Sequence, residues 1–280
     1  MAGGASKPRR GAWLGPGLGL VGVSWAANAA LDGTRTHLLF FPLWLGYALA
    51  VDGWTARRTG TSILARTGLG WAALFAVSAP AWWLFEFLNR RLRNWEYLGG
   101  DEFGDLEYFL YSSLSFSTVL PAVMGTAELV RSMPWIERFA RGPRVRATPG
   151  RMVLCFALGV AMLASMLVWP RALYPFCWTS LVFLLEPVCR RLRRPSLLDA
   201  LAEGDWRPWM SLWSAGLVCG FFWEMWNVTS WPKWIYHTPG VEFWKVFEMP
   251  LLGYLGYLPF AMELWLLAQL CLPSAARPRL

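Results

Sequence analysis

Apolar residues fall in long runs at 12–31, 37–51, 68–88, 106–130, 152–169, 173–188, 209–228 and 248–272, with short polar stretches between them. Most runs have the roughly 17–25 residues that a helix needs to cross a hydrocarbon core of about 30 Å. The pattern predicts an all-α, polytopic membrane bundle of about eight helices. The runs at 37–51 and 173–188 are short for a full crossing and leave tilted, shielded or re-entrant arrangements open. The first run also reads as a signal segment with Ala27-Asn28-Ala29 as its cleavage site. Retention fits better, because this helix completes the first half of a repeat.

The repeat is written in polar and aromatic positions. Residues 82–97, "WWLFEFLNRRLRNWEY", and 221–237, "FFWEMWNVTSWPKWIYH", each contain Glu-x-x-Asn followed by Trp-x-Tyr. Glu86 and Asn89 match Glu224 and Asn227 at an offset of 138, and Trp95 and Tyr97 match Trp234 and Tyr236 at 139. Glu102-Phe103 matches Glu242-Phe243 at 140, and Leu120-Pro121 matches Leu258-Pro259 at 138. Trp44 precedes Asp52 by eight residues, as Trp178 precedes Glu186, and each acid meets an arginine pair. A series at nearly constant offset predicts a duplication: residues 1–130 form one four-helix half and 152–280 the other. The basic stretch 131–151 links them in the cytoplasm. Four helices per half leave both halves starting on the same side, so the expected relation is a pseudo-two-fold axis along the membrane normal.

Composition agrees with this class, since 56% of the 280 residues are hydrophobic and only 16% charged. Placing both termini in the cytoplasm puts 19 of the 26 Lys and Arg in inner segments, leaving Arg35, Arg90, Arg91, Arg93, Arg171, Lys233 and Lys245 outside. The positive-inside rule expects that asymmetry, and the implied location is the cytoplasmic (inner) membrane. The net charge of +8 then reads as topology and contact with membrane lipid, not nucleic acid, because the arginines are spread over separate loops. The five scattered cysteines predict no disulfide framework. A homo-oligomer stays open.

A carboxyl group at membrane depth is costly and usually faces the bundle interior, which makes Glu86 and Glu224 candidates for chemistry. Asn89 and Asn227 lie one turn along the same helix faces. The alternative is structural: interhelical hydrogen bonds or solvation at the outer boundary. Glu107 and Glu248 are expected to open the fourth and eighth helices, either as further acids or as side chains complementing a helix N-terminus. Glu263, fifteen residues past Glu248, would lie roughly 22 Å along that last helix. Asp52, Glu128 and Glu186 are expected at cytoplasmic helix ends. Many of the twenty tryptophans suit an interface belt. The eight in 82–97 and 223–244 (Trp82, Trp83, Trp95, Trp223, Trp226, Trp231, Trp234 and Trp244), with Tyr97 and Tyr236, suit equally a pocket for a long apolar ligand, in which ring faces would stabilise a cation. No metal-ligand spacing, P-loop or dinucleotide fingerprint appears, and neither His37 nor His237 belongs to a metal motif.

The order of these residues, an acid after aromatics at a helix end, a Trp-x-Tyr loop, then Glu before the next helix, resembles the integral-membrane lycopene cyclase domain family. It is similar more loosely to the membrane-bound terpene cyclases of meroterpenoid pathways. The resemblance covers about 82–125 and 220–265. That family carries Pro-x-Glu-Glu before aromatics, whereas "DLEYF" and "VFEMPLL" each offer one Glu here. The resemblance implies an isomerase-type cyclase that protonates a hydrophobic polyprenoid substrate without metal or organic cofactor. Glu224 and Glu86, or Glu248 and Glu107, would supply the acid, with the asparagines and aromatics holding substrate. The three arginines after Asn89 contrast with the uncharged stretch after Asn227 and favour Glu224 as the proton donor. A transporter or lipid-binding protein with a central acidic site is the alternative of another class.

Overall fold

The computed structural model describes residues 11–31 and 36–280; the basic tail 1–10 and Arg35 lie outside them. Helices α1 (Leu14–Ala30) and α2 (His37–Thr59) pack with their backbones almost touching. A Cβ on Gly17 would fall 2.8 Å from the Gly46 carbonyl oxygen, and one on Gly46 2.9 Å from that of Gly17. Small residues let membrane helices approach in this way. Helix α2 runs well past its apolar stretch, through Asp52 and the arginine pair, until Gly60 adopts the left-handed conformation that ends it. The short α3 (Ile63–Arg66) and long α4 (Gly68–Leu92) follow, each started by a side-chain oxygen, from Ser62 and Thr67. Strand β1 (Trp95–Leu98) leaves the end of α4.

The apolar run 106–130 is two helices, α5 (Asp105–Phe116) and α6 (Val119–Arg131). Ser78 of α4 sits across the break: its hydroxyl donates to the Phe116 carbonyl (2.6 Å) and accepts the Leu120 N–H (3.0 Å). Next come α7 (Pro149–Val168), α8 (Pro170–Leu173), a 3₁₀ stretch at Tyr174–Trp178, and α9 (Ser180–Arg191). Then follow α10 (Leu197–Glu203), α11 (Arg207–Asn227), β2 (Lys233–Tyr236), and the hairpin of β3 (Lys245–Val246) and β4 (Met249–Pro250). A 3₁₀ stretch at Leu251–Gly256 leads into α12 (Tyr257–Cys271).

The chain is mostly helical, and among the described residues six stretches are long and apolar enough to cross a membrane: 37–59, 68–92, 105–131, 149–168, 170–191 and 251–271. Two expected crossings fall outside that set. Helix α1 is only 17 residues long, and α11 has the length but not the apolarity, with Glu224 and Asn227 in its last turn. The chain departs from helix in short strand pairings between the long helices. β1 and β2 are antiparallel, with Trp95 opposite Tyr236 and Tyr97 opposite Trp234. One correction concerns Glu248. It lies in the turn of the β3–β4 hairpin rather than at a helix start, so Glu263 is only six residues into α12.

The interior is centred on α6 and α12. Every residue of α6 from Val119 to Val130 is buried, and α6 packs against α2, α4 and α11. The basic segments gather at one end of the bundle. Arg58 donates to the Ser132 carbonyl (3.0 Å), Arg66 to Glu128 (2.6 Å), and the Gly142 N–H to the Gly204 carbonyl (2.8 Å). The β1–β2 pair lies at the other end. Asp52 and Glu186 stand within helices, not at their ends. Each carboxylate accepts the hydroxyl of a serine ten residues later, Ser62 or Ser196, and backbone N–H groups of the short helix that serine starts.

A candidate cavity flanked by two carboxyl groups

Each Glu-x-x-Asn turn is tied to the strand that follows it. Asn89 donates to the Trp95 carbonyl (2.8 Å) and accepts the N–H groups of Asn94 (2.9 Å) and Trp95 (3.3 Å). Asn227 donates to the Trp234 carbonyl (2.7 Å) and accepts the Trp234 N–H (2.9 Å). The amide brackets the backbone where the strand begins. Side chains two apart on a strand point the same way, so this bracket returns the tyrosine of Trp-x-Tyr to the glutamate one turn earlier on the helix. Tyr97 OH donates to Glu86 Oε1 and Tyr236 OH to Glu224 Oε1, both at 2.6 Å.

The two corners differ in what else reaches the acid. Glu86 is half-buried, and its Oε1 also accepts the indole N–H groups of Trp82 (2.9 Å) and Trp95 (3.0 Å). Glu224 is sealed at 0% exposure, and its Oε1 accepts a second hydroxyl, that of Tyr257 on α12, at 2.7 Å. The Trp234 indole donates to Tyr236 OH (2.8 Å) rather than to the acid. Glu224 Oε2 has no partner among the described residues. Burial and the neighbouring carboxyl push both strand tyrosines, Tyr97 and Tyr236, well above the usual phenol range. Their hydroxyls therefore keep their protons and act as donors.

Between the corners lies a cavity of about 460 Å³, a volume within the range of small-molecule sites, about 300–1,000 Å³. Its walls are largely aromatic: Trp82, Trp95, Phe116, Trp178, Trp223, Trp234 and Phe260 line it. Trp178 stacks on Trp95 with ring centroids 5.7 Å apart. Tyr97, Tyr236 and Tyr257 also line it, whereas Glu86 and Glu224 do not. Each carboxyl thus meets the cavity through a tyrosine hydroxyl.

The structure brings together six of the aromatics singled out in the sequence: Trp82, Trp95, Trp223, Trp234, Tyr97 and Tyr236. Others stand elsewhere. Trp226 is buried against Trp44 (4.8 Å between ring centroids), and Trp83 stacks on Phe109 and donates to Ser113. Asn89 and Asn227 hold backbone and do not line the cavity. Glu107 is exposed in the first turn of α5, and Glu248 pairs with Lys233 at 2.6 Å. Glu263 is fully buried, accepting the Leu181 N–H at the start of α9 (3.2 Å). Sequence reasoning missed Tyr257. The available signal was its place immediately before the repeated Leu-Pro, where the first half has Val119.

No protein-family model matches the chain, and neither does any curated protein or solved structure.

Proposed function

We propose that the chain is a multi-pass membrane cyclase of polyprenoid substrates that uses protonation and no cofactor. The observation carrying this reading is the aromatic cavity approached by two carboxyl groups, each through a tyrosine that lines the wall. Glu224 is the proton donor. It is shut off from solvent, and among the described residues no cation pairs with it. Its proton passes to Tyr236 or Tyr257, and that hydroxyl's own proton adds to a terminal alkene carbon of the substrate. The resulting carbocation is attacked by a second double bond of the same chain, which closes a ring. Ring faces of Trp95, Trp223 and Trp234 stabilise the positive charge. A proton then leaves the carbon beside the new cation and is taken up at the Tyr97–Glu86 corner; before the next turnover that corner releases one proton to solvent and Glu224 regains one. Atoms balance as an isomerisation.

The reading includes eight crossings, with α1 and α11 added to the six most apolar stretches, basic ends in the cytoplasm of an inner-membrane protein, and two halves related by pseudo-two-fold symmetry. Four correspondences support the duplication. These are the Asn bracket of Trp95 and Trp234, the Tyr-to-Glu bond, the acid–serine start of α3 and α10, and the reciprocal Trp–Tyr register of β1 on β2.

The test is to express the protein in a polyprenoid-producing host and extract products with and without it. New cyclic products are expected. An unchanged profile across several linear substrates counts against the reading, and binding of a polyprenol without conversion would favour a lipid-binding role for the same cavity.

A further inference from the structure

Irregular backbone at membrane depth is tolerated only where protein buries it or it lines a cavity. Two 3₁₀ stretches occur inside candidate crossings: Tyr174–Trp178 within 170–191 and Leu251–Gly256 within 251–271. They face each other, since a Cβ on Gly256 would sit 3.3 Å from the Trp178 ring. Both contribute to the cavity wall. Of all the residues lining that cavity, three are exposed: Pro175, Leu252 and Leu255, the two leucines at 47% and 57%. All three are apolar and all lie on these two stretches. Exposed Trp169, Ala172 and Leu251 continue the apolar surface on these segments, with Arg171 the charged residue at its edge.

We propose that this gap between the two 3₁₀ stretches is a lateral mouth, through which a linear polyprenyl chain enters end-first from the bilayer. A mouth opening to water would place polar side chains at the exposed rim; here the rim is leucine and proline within apolar crossings. An opening of this kind also fits the cavity's size. One end of the chain is enclosed beside the tyrosines while the remainder stays among acyl chains, so chain length beyond the enclosed part adds little to recognition. The inference rests on the reading of the cavity as a site for an apolar ligand, but it does not require turnover.

The experiment uses nitroxide labels at Leu252→Cys and Leu255→Cys, in a background with the five native cysteines replaced, reconstituted in phospholipid vesicles. Both labels are expected to collide readily with molecular oxygen and to be shielded from water-soluble nickel chelate. Adding geranylgeraniol to the vesicles is expected to slow both labels, and solanesol to do so to a similar degree. Nickel access with oxygen shielding would overturn the proposal, because the mouth would then face water. Lipid-facing labels that no polyprenol slows would overturn it as well. If the cysteine-free background fails to fold, a benzoylphenylalanine at position 255 provides the second readout. Cross-linking to geranylgeraniol in the intact protein supports the mouth, and cross-linking to phospholipid alone refutes it. A protein that binds the chain without converting it passes these tests and fails the product assay, which keeps the two proposals separable.

Discussion

The corner at Glu86 and the corner at Glu224 share a scaffold and differ in the donors around the acid, one of them through an exchange of volume. In both, an asparagine brackets the following strand and a tyrosine returns to the acid. In the first corner the additional donors are Trp95 and, from the same helix as the acid, Trp82, and the facing position is Val119. At the matching positions of the second corner, 138 residues on, stand Gly220 and Tyr257. A Cβ on Gly220 would lie 2.4 Å from the Tyr257 ring, so the glycine makes room for the phenol that reaches Glu224. Large and small residues have changed places. The backbone brackets are the same in both corners while the donors around each acid differ, which separates what holds the site from what tunes it.

The largest expected effect breaks the pair at its acids. Glu224→Gln should reduce cyclisation by at least about a hundredfold, the usual scale of a lost general acid. Glu86→Gln should cost only about tenfold on the same scale. Initial rates in vesicles check both, and equal losses would erase the distinction between the corners.

Next come the brackets. Asn89→Ala and Asn227→Ala each strand buried backbone groups of the strand entry, at an expected cost of about 2–3 kcal/mol. Their unfolding midpoints in detergent should fall together, because the bracket is common to both corners. A large loss at one site alone would mean that the two brackets carry unequal loads.

A smaller effect sharpens the exchange of volume. Gly220→Ala should destabilise by about 1–2 kcal/mol through crowding of Tyr257. Combining it with Tyr257→Val should relieve most of that cost while still losing activity. Additive stability losses in the pair would contradict the exchange.

The smallest effect leaves both corners alone. At the basic end, Glu137 is held below the ordinary carboxylate range by hydrogen bonds from Arg131 and Arg207, and Asp205 by those from the Arg207 guanidinium and backbone. Lowered values in the folded state mean that this contribution is complete above the unfolded carboxylate pKa of about 4. It is lost as pH falls through the lower folded values. Proteolysis within residues 131–151 should therefore speed up only below about pH 4, while the corners' activity ratio stays constant.

Much of this site was legible in the chain. Glu-x-x-Asn and Trp-x-Tyr, repeated at offsets of 138 and 139, marked both corners and the residues that form them. What the asparagines do was not legible, because a side chain three residues from a glutamate reads equally as a ligand contact and as a bracket for backbone still to come. The strands escaped notice since four-residue segments at the ends of long helices have too little periodicity to register. The break between α5 and α6 escaped for a different reason: its partner, Ser78, is 38 residues from Phe116, and the apolar run continues across the gap. Drawing the last helix from Glu248 hid Tyr257, whose role depends on a glycine one helix away.

The most direct measurement of the central claim follows the proton. The protein, equilibrated in D₂O and given a linear polyprenoid under single-turnover conditions, should yield a cyclic product carrying one deuterium for each ring closed. The label should sit on the carbon that was protonated. Glu224→Gln should remove the labelled product, and Glu86→Gln should leave its labelling unchanged. A cyclic product formed without deuterium would contradict protonation as the initiating step, and with it the account of both corners.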